Sequence, residues 1–509
     1  MRATTAFLAL ALCAAIVVVA AVASALWAVL AFVPLVNLVA IPSLIGSVLL
    51  LVHALPFAAY LLLAQTDAPK HGGSLFLPFS PARHLGILVA VVHYTFFVLS
   101  TAPAMLLALA RTAIRLKNSG AAHASSRWLP SAWWERFASF GITYQSPRRG
   151  RASKLDVFVP AVAGGDDLPG AGDFAPFSPA SSAHTLPDVD GGSRYNAVTS
   201  ATDDFPAEVW HEQMPGSPVD GGALPVVVFV YDVGIIGPIR PRRWMFSLVG
   251  AKLAEQGYVA VVPDLTLYPD GQVEDMVVDL RAVLAWTRKE ISTFGGDPHN
   301  IYVCGHGLGA HLALYTLSQD AVVRSRDKLE IHNAAREWPH LGYDQRPTYS
   351  RDIPNGLRQL RTYGGDIDIP EIRGVIMLSP VADVIKQVRH ESKLWLEHVS
   401  PLRRALGSSQ TRCMKHSLGH ILFAARNLVE VEWLPERVLI IHGVDDHLVP
   451  IWQAVWLADL LNGLDVPTRL KQYTNLSHFD VVTSLMSGLE SKQTANIVHD
   501  IRWFVEGGP

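Results

Sequence analysis

The segment Gly305-His306-Gly307-Leu308-Gly309 follows a short apolar run, Ile301-Tyr302-Val303-Cys304, and leads into Ala310-His311-Leu312-Ala313-Leu314, which reads as a helix. A strand, a tight glycine-flanked turn and a helix is how an elbow of the form G-x-S-x-G presents a nucleophilic hydroxyl. The outer glycines let the turn close while the middle side chain projects from its tip. Both outer glycines are present here, but the middle position is Gly307, which has no side chain and cannot attack anything. The same glycines also suit a dinucleotide-binding turn, with Gly305 and Gly307 as the first pair and Ala310 in the tolerated last place. That turn belongs at the first strand of a βαβ unit, whereas several strand-like runs precede this one.

Two later motifs favour the elbow. His442-Gly443-Val444-Asp445-Asp446-His447-Leu448-Val449-Pro450 follows the strand-like run Val438 to Ile441, and Asn475-Leu476-Ser477-His478-Phe479-Asp480 follows the run from Arg469 to Tyr473. Asp446 is the candidate acid and His478 the candidate base, in the chain order nucleophile, acid, base. Singly, either motif is more often a capped surface loop; together, at the ends of the last two strands, they favour the remnants of a triad. An oxyanion hole needs backbone N–H groups near the developing charge, usually the N–H after the nucleophile and a His-Gly-Gly turn after an early strand. Leu308 supplies the first. At the second place stand Tyr231-Asp232-Val233-Gly234, of which only Gly234 fits. Asp232 would put a negative charge beside a site meant to stabilise one, unless it is turned away or protonated. Cys304 lies in the strand before the turn and His306 should point away from the tip, so neither is a good substitute for serine. No metal or cofactor is expected: the three cysteines, Cys13, Cys304 and Cys413, have no neighbours at a metal-ligand or redox spacing.

These residues need a scaffold of alternating elements. Lys154 to Pro160 reads as a strand closed by proline. Pro225 to Val230, Tyr258 to Val262 and Gly374 to Leu378 are continuous apolar runs of strand length, as parallel strands covered on both faces require. Between them lie a helix-like segment at 241–256, a helical face at Met276, Leu280, Val283, Leu284 and Ile291, and the helix after the elbow at 308–319. Such alternation implies a mainly parallel sheet wrapped by helices. Residues 161–222, rich in Gly, Pro, Ser, Asp and Ala, are expected to be a disordered insertion, and 325–370 to cap one end of the sheet.

At 509 residues the chain exceeds a single core. Between Arg2 and Asp67 there is no Asp, Glu, Lys or Arg, which is enough chain for two crossings of about 20 residues each. Pro34, Asn37 and Pro42 mark the turn, giving spans near 6–33 and 40–64. A third is expected at 85–110, so that residues 1–117 form an α-helical membrane region. A cleaved signal peptide is the competing reading, but the apolar run outlasts a signal h-region of roughly 7–15 residues. A juxtamembrane linker, 118–140, holds Trp128, Trp133, Trp134 and Phe137 among basic residues, and 141–509 forms the α/β domain. Arg111, Arg115, Lys117 and Arg127 outweigh Lys70 and Arg83, which favours a cytosolic C-terminal domain. A net charge of -3 and the lack of any nucleic-acid motif set that class of partner aside.

Residues 142–160 and 223–505 resemble the prenylcysteine methylesterase-like branch of the α/β-hydrolases, near carboxylesterases and hormone-sensitive-lipase relatives. The residues that carry the resemblance are Tyr144, Leu155-Asp156-Val157, Val230 to Gly237, Pro263-Asp264 with Pro269, Gly295-Gly296-Asp297-Pro298, Gly305 to Leu312, His442 to Pro450 and Ser477 to Asp480. It implies the α/β-hydrolase fold, an N-terminal membrane anchor, and hydrolysis of a methyl ester on a prenylated C-terminal cysteine by serine, aspartate and histidine. This chain departs from the pattern at the nucleophile and at the oxyanion glycines. Two functions compete. One is a pseudohydrolase, tethered to an endoplasmic reticulum or Golgi membrane, that binds a lipidated peptide, an acyl ligand or a protein partner. The other is an active carboxylic-ester hydrolase in which Asp446 and His478 act on water or with a substitute nucleophile.

Overall fold

The computed structural model describes residues 3–63, 138–145, 152–160, 222–233, 241–486 and 491–507, apart from 269, 338–339, 341–352, 354, 395–401 and 407–409. The expected third span, almost all of the expected linker and all but the last residue of the expected insertion lie outside these residues, as does Gly234.

Two long apolar helices come first, α1 (Ala3–Leu30) and α2 (Asn37–Leu63). Each contains a segment long and apolar enough to cross a membrane, Ala11–Leu30 and Asn37–Leu55. The turn between them passes through Leu35 at φ +67. The helices pack through small groups: Ala20, Ala40 and Ala54 are buried, and Ser24 Oγ lies 3.0 Å from Ser47 Oγ. Val18, Val22, Val29 and Leu38 face outward, uncovered by protein.

The α/β domain is an eight-stranded sheet: β1 (Ala138–Thr143), β2 (Lys154–Phe158), β3 (Leu224–Val230), β4 (Val259–Pro263), β5 (Gly296–His306), β6 (Gly374–Leu378), β7 (Val438–Gly443) and β8 (Thr468–Tyr473). Their order is β1-β2-β4-β3-β5-β6-β7-β8, antiparallel at β1–β2 and β2–β4 and parallel from β4 to β8. This is the expected α/β-hydrolase topology. The reason lies in the apolar runs. Every residue of β4, β6 and β7 is buried, so each strand needs cover on both faces, and only crossover helices supply it to parallel neighbours.

That cover includes α3 (Ser247–Glu255), α4 (Val273–Glu290), α5 (Leu308–Glu337), α6 (Val384–Lys393), α7 (Leu418–Ala425), α8 (Trp452–Asn462), α9 (His478–Met486) and α10 (Lys492–Val505). On α4 the predicted apolar face, Met276, Leu280, Val283 and Leu284, is fully packed. The stretch expected to cap the sheet from 325 begins inside α5, which runs unbroken to Glu337. Farther along, Gly364 and Ile367 are fastened down by Arg281 of α4, which is 1% exposed. Its guanidinium pairs with Asp320 of α5 at 2.7 Å and donates to both backbone carbonyls.

Candidate active site

Four chain segments leave the C-terminal ends of the parallel strands and meet: 231–233 after β3, the elbow after β5, 444–449 after β7 and 474–478 after β8. Ligand sites of open α/β sheets form at this edge. The elbow is tight enough to explain its outer glycines. A Cβ on Gly305 would stand 2.5 Å from Ala310 Cα, and one on Gly309 2.3 Å from the carbonyl oxygens of both Val230 and Tyr231. Gly307 sits at the tip with φ +55, and its N–H donates to Leu378 O on β6 at 2.8 Å.

The structure brings Asp446 and His478 together with Gly307. His478 Nδ1 donates to Asp446 Oδ2 at 2.8 Å, and both side chains are essentially sealed from solvent. Asp446 Oδ1 accepts from the backbone of Leu448 at 3.0 Å and Val449 at 2.8 Å, so the acid also closes its own loop. His442 adds a second imidazole, its Nε2 3.4 Å from Asp446 Oδ2. Burial pushes the Asp446 carboxyl up, but the charge of His478 and the bonds from His442 and His478 outweigh it and hold the group well below the usual carboxylate range.

Asp232 stands beside the oxyanion donor, as its sequence position suggested, and it also reaches the base. It is buried, and Oδ2 lies 3.4 Å from His478 Nε2. Its other oxygen, Oδ1, faces the Leu308 N–H, the main-chain donor of an oxyanion hole, at 3.4 Å. A Cβ built on Gly307 would fall 2.6 Å from Asp232 Oδ2, 2.8 Å from its Cγ and 3.1 Å from His478 Nε2. The carboxylate therefore fills the space a serine side chain would occupy and points one oxygen at the oxyanion donor. Its charge, expected to oppose the site, is met by the imidazole and the N–H. Burial alone would lower the pKa of His478; the Asp446 charge and the bonds to Asp232 and Asp446 overcome it and raise the value to about 10.

The remaining predicted residues are supporting ones. Tyr231 stacks on Phe246 with centroids 4.7 Å apart and donates from its hydroxyl to Asp264 Oδ1 at 3.0 Å. Val233 is buried. His306, expected to point away from the tip, instead lays its ring 4.6 Å from that of His478 and donates from Nε2 to the His478 carbonyl at 2.9 Å. Burial and the neighbouring His478 charge lower its pKa to about 4. Cys304 is buried in β5, and burial pushes its thiol up, away from the thiolate a nucleophile requires. The sequence signal for the role of Asp232 was a paired exchange: a carboxylate where the oxyanion turn has glycine, and glycine where the elbow has serine.

The order of strands and the placement of acid, base and elbow settle the comparison with known proteins. The chain has the α/β-hydrolase fold and is similar to the prenylcysteine methylesterases. The BD-FAE family profile matches residues 217–461. The probable isoprenylcysteine alpha-carbonyl methylesterase ICMEL2 of Arabidopsis thaliana is 38% identical over 264 residues, which cover 52% of this chain and 53% of that protein. The probable isoprenylcysteine alpha-carbonyl methylesterase ICMEL1 of Oryza sativa subsp. japonica is 38% identical over 260 residues, 51% of this chain and 52% of that one. Esterase LipC of Mycobacterium tuberculosis is 30% identical over 202 residues, 38% and 46% of the two chains. The chain thus spans about half the length of the curated relatives it matches.

Proposed function

We propose that this chain is a membrane-anchored pseudohydrolase, a prenylcysteine-methylesterase-like domain that keeps the binding cleft and has given up acyl-enzyme chemistry. One observation carries the reading: the carboxylate of Asp232 stands where a Gly307 side chain would begin, paired with the base that would activate it. Acyl transfer needs a nucleophile within reach of its base and an oxyanion hole free to receive the carbonyl oxygen. Here the first is missing and Asp232 Oδ1 faces the Leu308 donor of the second. The magnitudes agree. Removing the serine of such a triad costs about 10⁶ in rate, and blocking one oxyanion donor about 10²–10³ more where the effects multiply.

The relatives named as methylesterases of isoprenylcysteine suggest the ligand class, a lipidated cysteine carboxyl or its ester, held without turnover beside a bilayer. The two uncovered apolar helices support the tether.

The test uses the full chain in detergent with a chelator present. Wild type should take no label from a fluorophosphonate probe and should hydrolyse short p-nitrophenyl esters no faster than a heat-denatured control. Labelling, or ester turnover that disappears in His478→Ala, overturns the reading in favour of an active esterase.

A further inference from the structure

We propose that Asp232, His306 and His478 form a binding site for one divalent cation of the zinc class, with Asp446 positioning His478 from behind. A ring nitrogen of each histidine and a carboxylate oxygen of Asp232 lie within 4.8 Å of one another, and all three residues are buried. Among the described residues this is the one such grouping of His, Cys, Asp and Glu.

The separation between Asp232 Oδ2 and His478 Nε2 is informative. It is 3.4 Å, longer than the roughly 2.7–2.9 Å of a hydrogen bond between ionised partners. Two ligands each about 2.0–2.1 Å from a tetrahedral ion stand roughly 3.4 Å apart. The pair therefore has the spacing of one edge of a metal site. His478 Nδ1 is already committed to Asp446 as a donor, which turns Nε2 outward toward Asp232. A carboxylate on one imidazole nitrogen and a ligand position on the other is the usual second layer of a histidine-bound metal, where it fixes tautomer and ring direction.

Charge points the same way. Asp232 and Asp446 are two fully buried carboxylates on opposite nitrogens of one ring, and a dication that takes the place of the Nε2 proton of His478, which is released to solvent, neutralises both. Gly307 matters here as well, because the tip carries no side chain to compete for the space between Asp232 and His478. Two imidazoles and one carboxylate make three protein ligands, which leaves a fourth position for a carbonyl or carboxylate oxygen of a bound molecule. The sequence concealed the set because its members come from three separate strand ends, 232, 306 and 478, with no ligand spacing along the chain.

The experiment titrates chelator-stripped full chain in detergent with Co²⁺, a spectroscopic stand-in for zinc. Wild type should bind one ion per chain with the intense visible bands of four-coordination, and Zn²⁺ should displace it. Asp232→Asn and His306→Gln, nearly isosteric changes, should abolish the bands. Asp446→Asn should weaken binding by about 10–100-fold. His420→Gln, a half-buried histidine on α7 outside the cluster, should leave the titration unchanged. Far-ultraviolet circular dichroism verifies each fold, and a Zn²⁺-dependent rise in wild-type Tm that is absent from Asp232→Asn provides a second readout. Featureless Co²⁺ spectra, or bands that persist in both ligand variants, overturn the proposal. Fluorophosphonate labelling reports a serine and cobalt reports these three side chains, so this inference and the pseudohydrolase reading fail separately.

Discussion

The carboxylate of Asp232 and the imidazole of His478 face each other at 3.4 Å across the tip of an elbow that has no side chain of its own. The two substitutions at this site are therefore spatially linked, and repairing one without the other should do little. In Gly307→Ser the new Cβ would lie 2.6 Å from Asp232 Oδ2, at a φ of +55 that costs a side-chain-bearing residue about 1–3 kcal/mol. Gly307→Ser alone should gain almost no esterase activity. Gly307→Ser with Asp232→Gly frees the Leu308 N–H and gives the serine access to His478; this pair should take the fluorophosphonate label and exceed the single variant by about 10²–10³ in p-nitrophenyl ester turnover. Equal rates in the two variants would show that Asp232 does not obstruct the site.

Asp446 has structural work that does not depend on catalysis. Its two oxygens serve His478, His442 and the N–H groups of Leu448 and Val449, all in a buried loop. Asp446→Ala should destabilise the domain by about 3–5 kcal/mol, the usual result of stripping one partner from a buried charged pair. Asp445→Ala, which removes a single bond to the Asn475 N–H at an exposed position, should cost under about 1 kcal/mol. Urea denaturation of the detergent-solubilised chain separates the two, and similar midpoints would contradict a holding role for Asp446.

Much of this arrangement is legible in the sequence because parallel strands advertise themselves. Runs such as Val226 to Val230 and Val438 to Ile441 have no polar alternation to confuse with a half-exposed strand, and each is followed by the loop that carries a site residue. The elbow is equally legible, since a Cβ on either outer glycine would stand 2.3–2.5 Å from backbone atoms, which admits no side chain. The nearness of Asp232 to the oxyanion donor was legible, but its contact with His478 was not. Sequence places it after β3, but whether its carboxylate turns outward or reaches across to β5 is decided by the distance between two strand ends and by the volume left free at Gly307. His306 shows the same limit: the sequence reading had it point away from the tip, whereas its bond is to the backbone of His478, which only the packing of α9 against the elbow brings near.

His416 provides a pH dependence that is independent of the central cluster. Its Nδ1 donates to the Leu406 carbonyl and its Nε2 lies 3.0 Å from the Tyr363 hydroxyl, one donor and one acceptor, as in a neutral ring. Burial lowers its pKa from 6.5, and the charges of Lys415 and Arg412 act in the same sense against the Leu406 bond and Glu274. Between that lowered value and 6.5 the unfolded chain holds a proton that the folded chain does not. Stability is therefore complete above the unfolded pKa and declines as pH falls through this window, by at most about 1.4 kcal/mol per pH unit for one site. Tm measured from about pH 7.5 down to about pH 5 should fall less steeply in His416→Gln than in wild type. Parallel curves would mean that His416 has the same pKa in the folded and unfolded chain.

The helical hairpin makes the most direct cellular prediction. Its outward residues, among them Val18, Val22, Val29 and Leu38, are more than half exposed among the described residues, an apolar surface that suits lipid. Its inner contact is built from Ala20, Ala40, Ala54 and the Ser24–Ser47 pair, small groups of the kind that let transmembrane helices approach closely. The full chain should stay in the membrane pellet through alkaline carbonate washing. Ser24→Leu should loosen the hairpin without releasing the protein, because lipid replaces the lost helix contact while the apolar length is unchanged. The flanking Lys and Arg are the ground for proposing that the α/β domain faces the cytosol, in which case protease added outside sealed microsomes should degrade it without detergent. A domain that survives until detergent is added lies on the lumenal side, and the orientation read from Arg111, Arg115 and Lys117 would have to be reversed.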